Sequence, residues 1–434
     1  MTEAPTNLMV PTYPRSVQPG IPRLSAAPEG WSTRRFGELL KVVQRPVRMT
    51  DDGEYDLVTV KRSRGGIESR GRFRGKNISV KSQFALEGGD FLISKRQIVH
   101  GACAVVPEEF AGSIVSNEYS VLRCKPGLDL GFLRYLSHSV YFQQTCFHSS
   151  IGVHVEKMIF KLEDWLKFRV NVPPLEEQKR IAAGFEAVDA KLAALREKAG
   201  GLNHFKTGLM QRLFSQELRF TRENGTDFPD WEERKLGELF GWVRTNSLSR
   251  EHLTDDDTSG VQNIHYGDIH SKFRAIFRQT QEEVPFITIN APLRTILDDD
   301  FVRQGDVVIA DASEDYADIG KAIEVMEVRE RSMVAGLHTF IARPDQGVLA
   351  PGFAGYMLRS APLRRQIVRA AQGVSVLGLS KGNLEKLTLG LPAHEEQEKI
   401  AGALMAVDAK IDAVTDQITH METFKKGLLQ KMFV

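Results

Sequence analysis

The chain of 434 residues is built as a duplicate of itself, and this limits its possible folds more than any other feature. Residues 173–214 align with 392–433 at a constant offset of 219, without gaps, and 18 of the 42 positions are identical. Pro173, Glu176-Glu177-Gln178, Ile181-Ala182 and Ala187-Val188-Asp189-Ala190-Lys191 return as Pro392, Glu395-Glu396-Gln397, Ile400-Ala401 and Ala406-Val407-Asp408-Ala409-Lys410. Phe205-Lys206, Gly208-Leu209, Gln211 and Phe214 return as Phe424-Lys425, Gly427-Leu428, Gln430 and Phe433. Upstream the echo is fainter. Trp31 and Gly37-Glu38-Leu39 match Trp231 and Gly237-Glu238-Leu239, and Gly89-Asp90 resembles Gly305-Asp306. Phe132, Tyr135 and Gly152-Val153 match Phe353, Tyr356 and Gly373-Val374. Each unit is thus a variable region followed by a near-constant tail, with an insertion in the second variable region between Trp231 and Gly305.

Both tails read as long helices. Apolar residues fall at Ile181, Phe185, Val188, Leu192, Leu195, Ala199, Leu202, Phe205, Leu209 and Leu213, and again at Ile400, Leu404, Val407, Ile411, Val414, Ile418, Met421, Phe424, Leu428 and Met432. Alternating steps of four and three make a coiled-coil seam. Each helix follows a proline and carries Glu-Glu in its first turn, where carboxylates suit the positive end of the helix dipole. One narrow stripe suits a partner helix, so the two are expected to pair antiparallel; the alternative is that each packs on its own domain. Gly200-Gly201 allows a local bend in the first.

The variable regions mix both kinds of structure. Segments 55–62, 90–99 and 113–124 are β-rich, and 130–145 looks helical. In the second unit Pro362 breaks the matching helix, which restarts over 363–371. The expected fold is α+β, with two mixed α/β domains joined by an antiparallel coiled coil and related by a pseudo-two-fold repeat. The expected map is a flexible Pro-rich leader over 1–27, a first domain over 28–172 and a helix over 173–214. A linker over 215–230, a second domain over 231–391 and a helix over 392–433 complete it.

Several functions are disfavoured. Cys103, Cys124 and Cys146 form no CxxC pair and no histidine cluster accompanies them, which argues against a disulfide framework or zinc site and for a reducing cytoplasm. No apolar run approaches the roughly 18 residues of a membrane span, and the leader has no secretory h-region. No phosphate-binding GxxxxGK[ST] loop, no Asn/Asp-Pro-Pro-aromatic base-gripping loop and no nuclease carboxylate set appears. The acidic runs at Asp255-Asp256-Asp257 and Asp298-Asp299-Asp300 read as solvated loop faces. A metal site and a bound cofactor are therefore not expected.

The net charge of +1 hides +9 in residues 1–219 and −8 in 220–434, so any contact with nucleic acid must be local. The clearest candidate runs from Lys61 through Arg62, Arg64, Arg70, Arg72, Arg74 and Lys76 to Lys81, against only Glu68. Interleaved glycines let such a stretch approach phosphates, and arginine forks read guanine edges; a solvated hairpin is the alternative. In the second unit the candidates are Lys272, Arg274 and Arg278. The matching loops at Gly152-Val153-His154 and Gly373-Val374-Ser375 either face DNA or are simple turns.

The tail signature Pro-x-x-Glu-Glu-Gln-x-x-Ile-Ala, the Val-Asp-Ala-Lys heptad and the closing Phe-Lys-x-Gly-Leu-x-Gln-x-x-Phe resemble those of type I restriction specificity subunits. The opening Trp-x-x-x-x-x-Gly-Glu-Leu at Trp31 and Trp231 does too, as does the linker from Ser215 to Trp231. The resemblance implies a non-catalytic subunit with two target-recognition domains, each reading half of a split double-stranded DNA site. It implies helices that set the gap and dock two methyltransferase subunits, with restriction/translocase subunits joining. S-adenosylmethionine, ATP and Mg would then belong to those partners. A fused enzyme with drifted motifs, or a protein-binding scaffold without DNA specificity, are the rival readings.

Overall fold

The structure is a computed structural model, which describes residues 17–257, 259–292 and 296–433. The chain divides into two units: one runs up to Glu197 and takes in the stretch from Thr415 onward, and the other is Lys198–Val414.

In the first unit a strand at Ser32–Arg35 pairs antiparallel with Arg169–Val172, Ser32 opposite Val172, so the domain closes where its helix begins. Between them lie two sheets. One orders Leu40–Val42, Tyr119–Cys124, Phe91–Ser94 and Cys103–Val105; the other orders Pro46–Val47, Gln83–Ala85, Ile114–Ser116, Glu54–Val60 and Ile67–Arg74. The expected helix over 130–145 is two, Leu130–Leu136 and Val140–His148, and the Ser139 hydroxyl caps the second by accepting from Phe142 N at 3.1 Å. Part of the leader falls on residues 1–16, outside the described ones. Residues 17–27 have no regular structure, and within them Ser25 O accepts from Asn171 Nδ2 at 3.0 Å.

The second unit repeats the closure, with Glu232–Lys235 pairing antiparallel with Thr388–Leu391. A five-stranded sheet orders Phe240–Val243, Thr339–Pro344, Val307–Ala310, Ala322–Glu327 and Ile276–Arg278. Pro362 lies in the first turn of the helix Ala361–Ala370, where a missing N–H costs nothing. Between Trp231 and Gly305, where the insertion is expected, lie the short strands Leu253–Thr254, Gln262–Ile264, Ile276–Arg278 and Phe286–Ile287 and the helix Tyr266–Ser271.

The tails are helices at Leu175–Phe214 and His394–Met432, and the first runs through Gly200-Gly201 without interruption. Their identical residues fall into place within each unit. In the first unit Gln178 Oε1 accepts from Asp129 N at 2.8 Å and its amide donates to Gly127 O and Pro173 O, both at 2.9 Å. In the second unit Gln397 accepts from Ala350 N at 2.9 Å and donates to Val348 O and Pro392 O. Trp31 Nε1 donates to Glu177 at 3.2 Å; Trp231 Nε1 donates to Glu396 at 3.1 Å.

The helices pair antiparallel, as expected. In the first unit Asp189 takes the Lys425 ammonium on one oxygen and the Tyr135 hydroxyl, at 2.9 Å, on the other, and Arg196 donates to Glu422 at 2.6 Å. In the second unit Asp408 takes Lys206 at 2.6 Å and Tyr356 at 2.7 Å. The recurrent Asp and Lys are therefore reciprocal partners, each tied to a tyrosine of the neighbouring domain.

The seam departs from expectation at one place. Phe205 and Phe424 are each 57% exposed, while Lys425 is 1% exposed and Leu429 and Phe433 are buried. A straight helix drifts by about 20° per heptad against a 3.5-residue repeat. From Ile400 that drift moves the buried stripe most of one residue by the last turns, and the Asp189–Lys425 pair holds it there.

Replacing Asp189 by Ala takes one partner from the buried Lys425 ammonium. Breaking a fully buried pair costs about 3–5 kcal/mol, and because Asp189 is part-exposed a smaller loss, of about 1–3 kcal/mol, is expected. Urea unfolding of the first domain's transition should show that loss; an unchanged midpoint would mean that the pair does not hold the helix.

Candidate nucleic-acid interface

The basic stretch of the first unit is a long antiparallel hairpin, Glu54–Val60 against Ile67–Arg74, with the second strand at the sheet edge. The register shifts between Leu57 and Val58, so Leu57 faces Gly71 while Val58 faces Ser69. Arg70 is the extra residue of this bulge, and Gly71 takes φ +102° to allow it. Bulges re-aim side chains at sheet edges. Arg70, Arg72, Arg74 and Lys76 are all exposed. Arg72 grips Asp56 through two hydrogen bonds, at 2.9 and 2.7 Å, and this pairing raises the guanidinium pKa further. Lys61 is exposed and lies 3.5 Å from Glu68.

Arg64 does not belong to that surface. It is 8% exposed, sits at φ +58°, and its guanidinium lies 3.4 Å from both Ser137 O and Gln143 Oε1. Burial, with Arg64 next in effect, holds the neighbouring His138 well below the ordinary imidazole range. This arginine anchors the turn and is removed from the contact set. Sequence reading missed it because its neighbours Arg62 and Lys61 are exposed and nothing local distinguishes it.

The turn and the Gly152 loop come together. Arg62 donates to Gln97 at 2.8 Å and to Glu156 at 2.9 Å, and Glu156 also lies 3.3 Å from His100. Gly152 has no room for a side chain: an added Cβ would stand 2.9 Å from Met158 Cα.

In the second unit the three basic candidates do not form a comparable loop. Lys272 is 3.4 Å from Asp268, and Arg274 reaches Asp412 on the second long helix at 3.0 Å. Arg274 therefore ties the domain to its helix. Arg278 ends the edge strand Ile276–Arg278 at a register shift. Gly373 takes φ +127° and an added Cβ would meet Val376 O at 2.0 Å, so this loop too requires glycine; Ser375 on it is exposed. Exposed basic residues missed by the sequence reading flank it, Arg365 and Arg369 on the helix before it.

Several polar clusters of the described residues have structural partners. Asp90 is fully buried and takes Arg45 at 2.8 Å and Arg123 at 3.0 Å; its repeat mate Asp306 takes Arg343 at 2.8 Å. The run Asp298–Asp300 is paired with Arg331, Arg303 and Arg244 instead of being only solvated. Burial pushes the Cys103 thiol up to about 11, which removes it as a nucleophile. Among the described residues no group of three or more His, Cys, Asp or Glu side chains could hold a metal, and no helix is long and apolar enough to cross a membrane.

The model of the type I restriction modification DNA specificity domain matches this chain twice, over residues 28–200 and 229–422. The chain belongs to that family. Both matches begin close to the repeated tryptophans and extend into the long helices. The chain is 24% identical over 424 residues to the type I restriction enzyme MjaVIII specificity subunit of Methanocaldococcus jannaschii, covering 93% of this chain and 92% of that one. Its fold is similar to the HsdS subunit of Thermoanaerobacter tengcongensis, with a TM-score of 0.53 at 19% identity over 94% of this chain and 98% of the other. A chain solved to explain complex assembly and conformational transition of the type I R-M system gives 0.59 at 20% identity, over 93% and 98%. The specificity chain is thus a non-catalytic, mixed α/β protein of two specificity domains.

Proposed function

We propose that the two domains read the two halves of one split, asymmetric double-stranded DNA site in the cytoplasm. The observation that carries this is the duplication itself, because two domains of one family on one chain present two reading surfaces of different sequence. In the first domain the surface comprises Lys61, Arg62, Arg70, Arg72, Arg74, Lys76 and the Gly152 loop. In the second it comprises the Gly373 loop with Ser375, together with Lys272 and Arg278. Exposed arginines and lysines supply phosphate contacts, and those at a bulge or loop tip supply base contacts.

The long helices are proposed to set the gap between half-sites and to dock two methyltransferase subunits, to which restriction/translocase subunits join. Two features support docking. Phe205 and Phe424 are half-exposed aromatics at equivalent places, and three residues later Gly208 and Gly427 have open space where a side chain would stand. A mid-helix glycine costs about 1 kcal/mol against alanine, and here it leaves a notch beside an aromatic knob in each unit. A surface present twice fits two copies of one partner. S-adenosylmethionine, ATP and Mg are assigned to the partners, and none to this chain.

The chain alone should transfer no methyl groups and cut no DNA. Adding a cognate methyltransferase subunit and S-adenosylmethionine should produce methylation at a split, non-palindromic site. Methylation by the lone chain at enzymatic rates would overturn the assignment, as would a reconstituted complex without sequence preference.

A further inference from the structure

The loops that begin at Gly152 and Gly373 share a feature beyond their glycines. Val153 is 95% exposed and Val374 is 102% exposed, so neither valine packs on its own domain. Scattered exposed apolar residues are ordinary. Here the same residue stands bare at matching positions of two domains whose sequences otherwise differ. Both loops are also held in shapes that a side chain at the glycine would block. Further apolar side chains widen each tip: Ile151, 64% exposed, beside the first, and Val376, 56% exposed, beside the second.

Charge indicates the occupant. The first loop is bound to the basic hairpin through Glu156 and Arg62, and Lys157 on it is exposed. The second unit is acidic overall, yet the segment 361–386 around its loop carries five Arg or Lys (Arg364, Arg365, Arg369, Lys381, Lys386) against one acid, Glu385. Arg364 is used internally, its guanidinium donating to Tyr316 O and Ala317 O at 3.1 Å. Arg365 and Arg369 remain exposed beside the loop. A bare apolar tip within a cationic rim matches a DNA groove, where phosphates line the walls and base edges, including the thymine methyl, form the floor.

We infer that Val153 and Val374 are specificity-determining prongs, each making an apolar contact with one base pair of its own domain's half-site. This rests on the reading of the chain as a split-site DNA reader. The test uses the full chain reconstituted with its methyltransferase subunits and a library randomised in both half-sites, with binding and methylation selected together. Val153→Ser should reduce preference at one base pair of one half-site by about five- to hundredfold, the range of a single lost base contact, and leave the other half-site unchanged. Val374→Ser should do the same in the opposite half-site. Both valines lie outside the packed core, so thermal unfolding should be unchanged and a fold defect is separable. If wild type selects a split site while both variants keep every preference, the prong inference fails and the split-site reading stands. Variants that read DNA normally but lose methyltransferase subunits would also overturn it and make the tips protein contacts. A wild-type complex that selects no split site would defeat the underlying reading itself.

Discussion

A chain carrying both Phe205→Lys and Phe424→Lys is expected to bind no methyltransferase subunit, while each single variant binds one. Aromatic anchors at the centre of an interface typically cost about 2–4 kcal/mol when removed, which is roughly thirty- to thousandfold in affinity per site. The substituting ammonium adds a desolvation cost where the phenyl ring would be buried. Each ring lies in a different unit and is already exposed, so neither change opens a core and helix content should stay the same. The measurement is mass or light scattering of the mixed complex together with its methylation rate. A double variant that still assembles two methyltransferase subunits at wild-type affinity would place the docking surface elsewhere.

The second large effect concerns the gap. The first long helix has 40 residues, about 60 Å at 1.5 Å per residue. One turn of DNA is about 34 Å, so a spacer of this length suits half-sites more than one turn apart. Inserting a heptad in both helices, after Ala199 and near Ile418, keeps the apolar stripe in phase and adds roughly 10 Å. The preferred gap should grow by about two to four base pairs at about 3.4 Å each. Affinity should also fall, because three base pairs rotate the far half-site by about 100° at roughly 10.5 base pairs per turn. Selection from a library of gap lengths gives the answer. An unchanged gap at full affinity would mean that the helices do not set it.

The helices and the duplication were legible because the physics that fixes them is local and periodic. A stripe of apolar residues every three to four positions has few solutions, and gap-free recurrence at one offset has no rival explanation. The identical polar residues of the tails were visible as a pattern, but their roles were not. That Asp189 and Asp408 each meet the other helix's lysine and a domain tyrosine depends on antiparallel pairing, which joins residues more than 200 positions apart. The displacement of Phe205 and Phe424 from the seam was missed for a related reason. Heptad counting assumes a 3.5-residue period, and the error accumulates along a straight helix.

The reading surfaces were less legible. The basic stretch reads from sequence as a loop, with a hairpin as the alternative, and it folds as a hairpin in which Arg64 turns inward because a backbone at φ +58° points it at Ser137 and Gln143. Sequence patterns carry no mark of such a turn in an arginine. Arg274 looked like part of a second basic loop until tertiary structure brought Asp412 beside it. Arg365 and Arg369 were overlooked because they sit on a helix whose other face is buried against the domain.

The central claim, that one chain carries two readers of one split site, is tested most directly by mapping methylated bases across the genome of a host cell that expresses this chain with its methyltransferase. The account predicts a single motif of two defined half-sites separated by a fixed stretch of unread base pairs. Replacing residues 231–391 with the corresponding domain of a relative should change one half-site and preserve the other together with the gap. Methylation at one short continuous sequence, or a domain exchange that alters both half-sites at once, would contradict it.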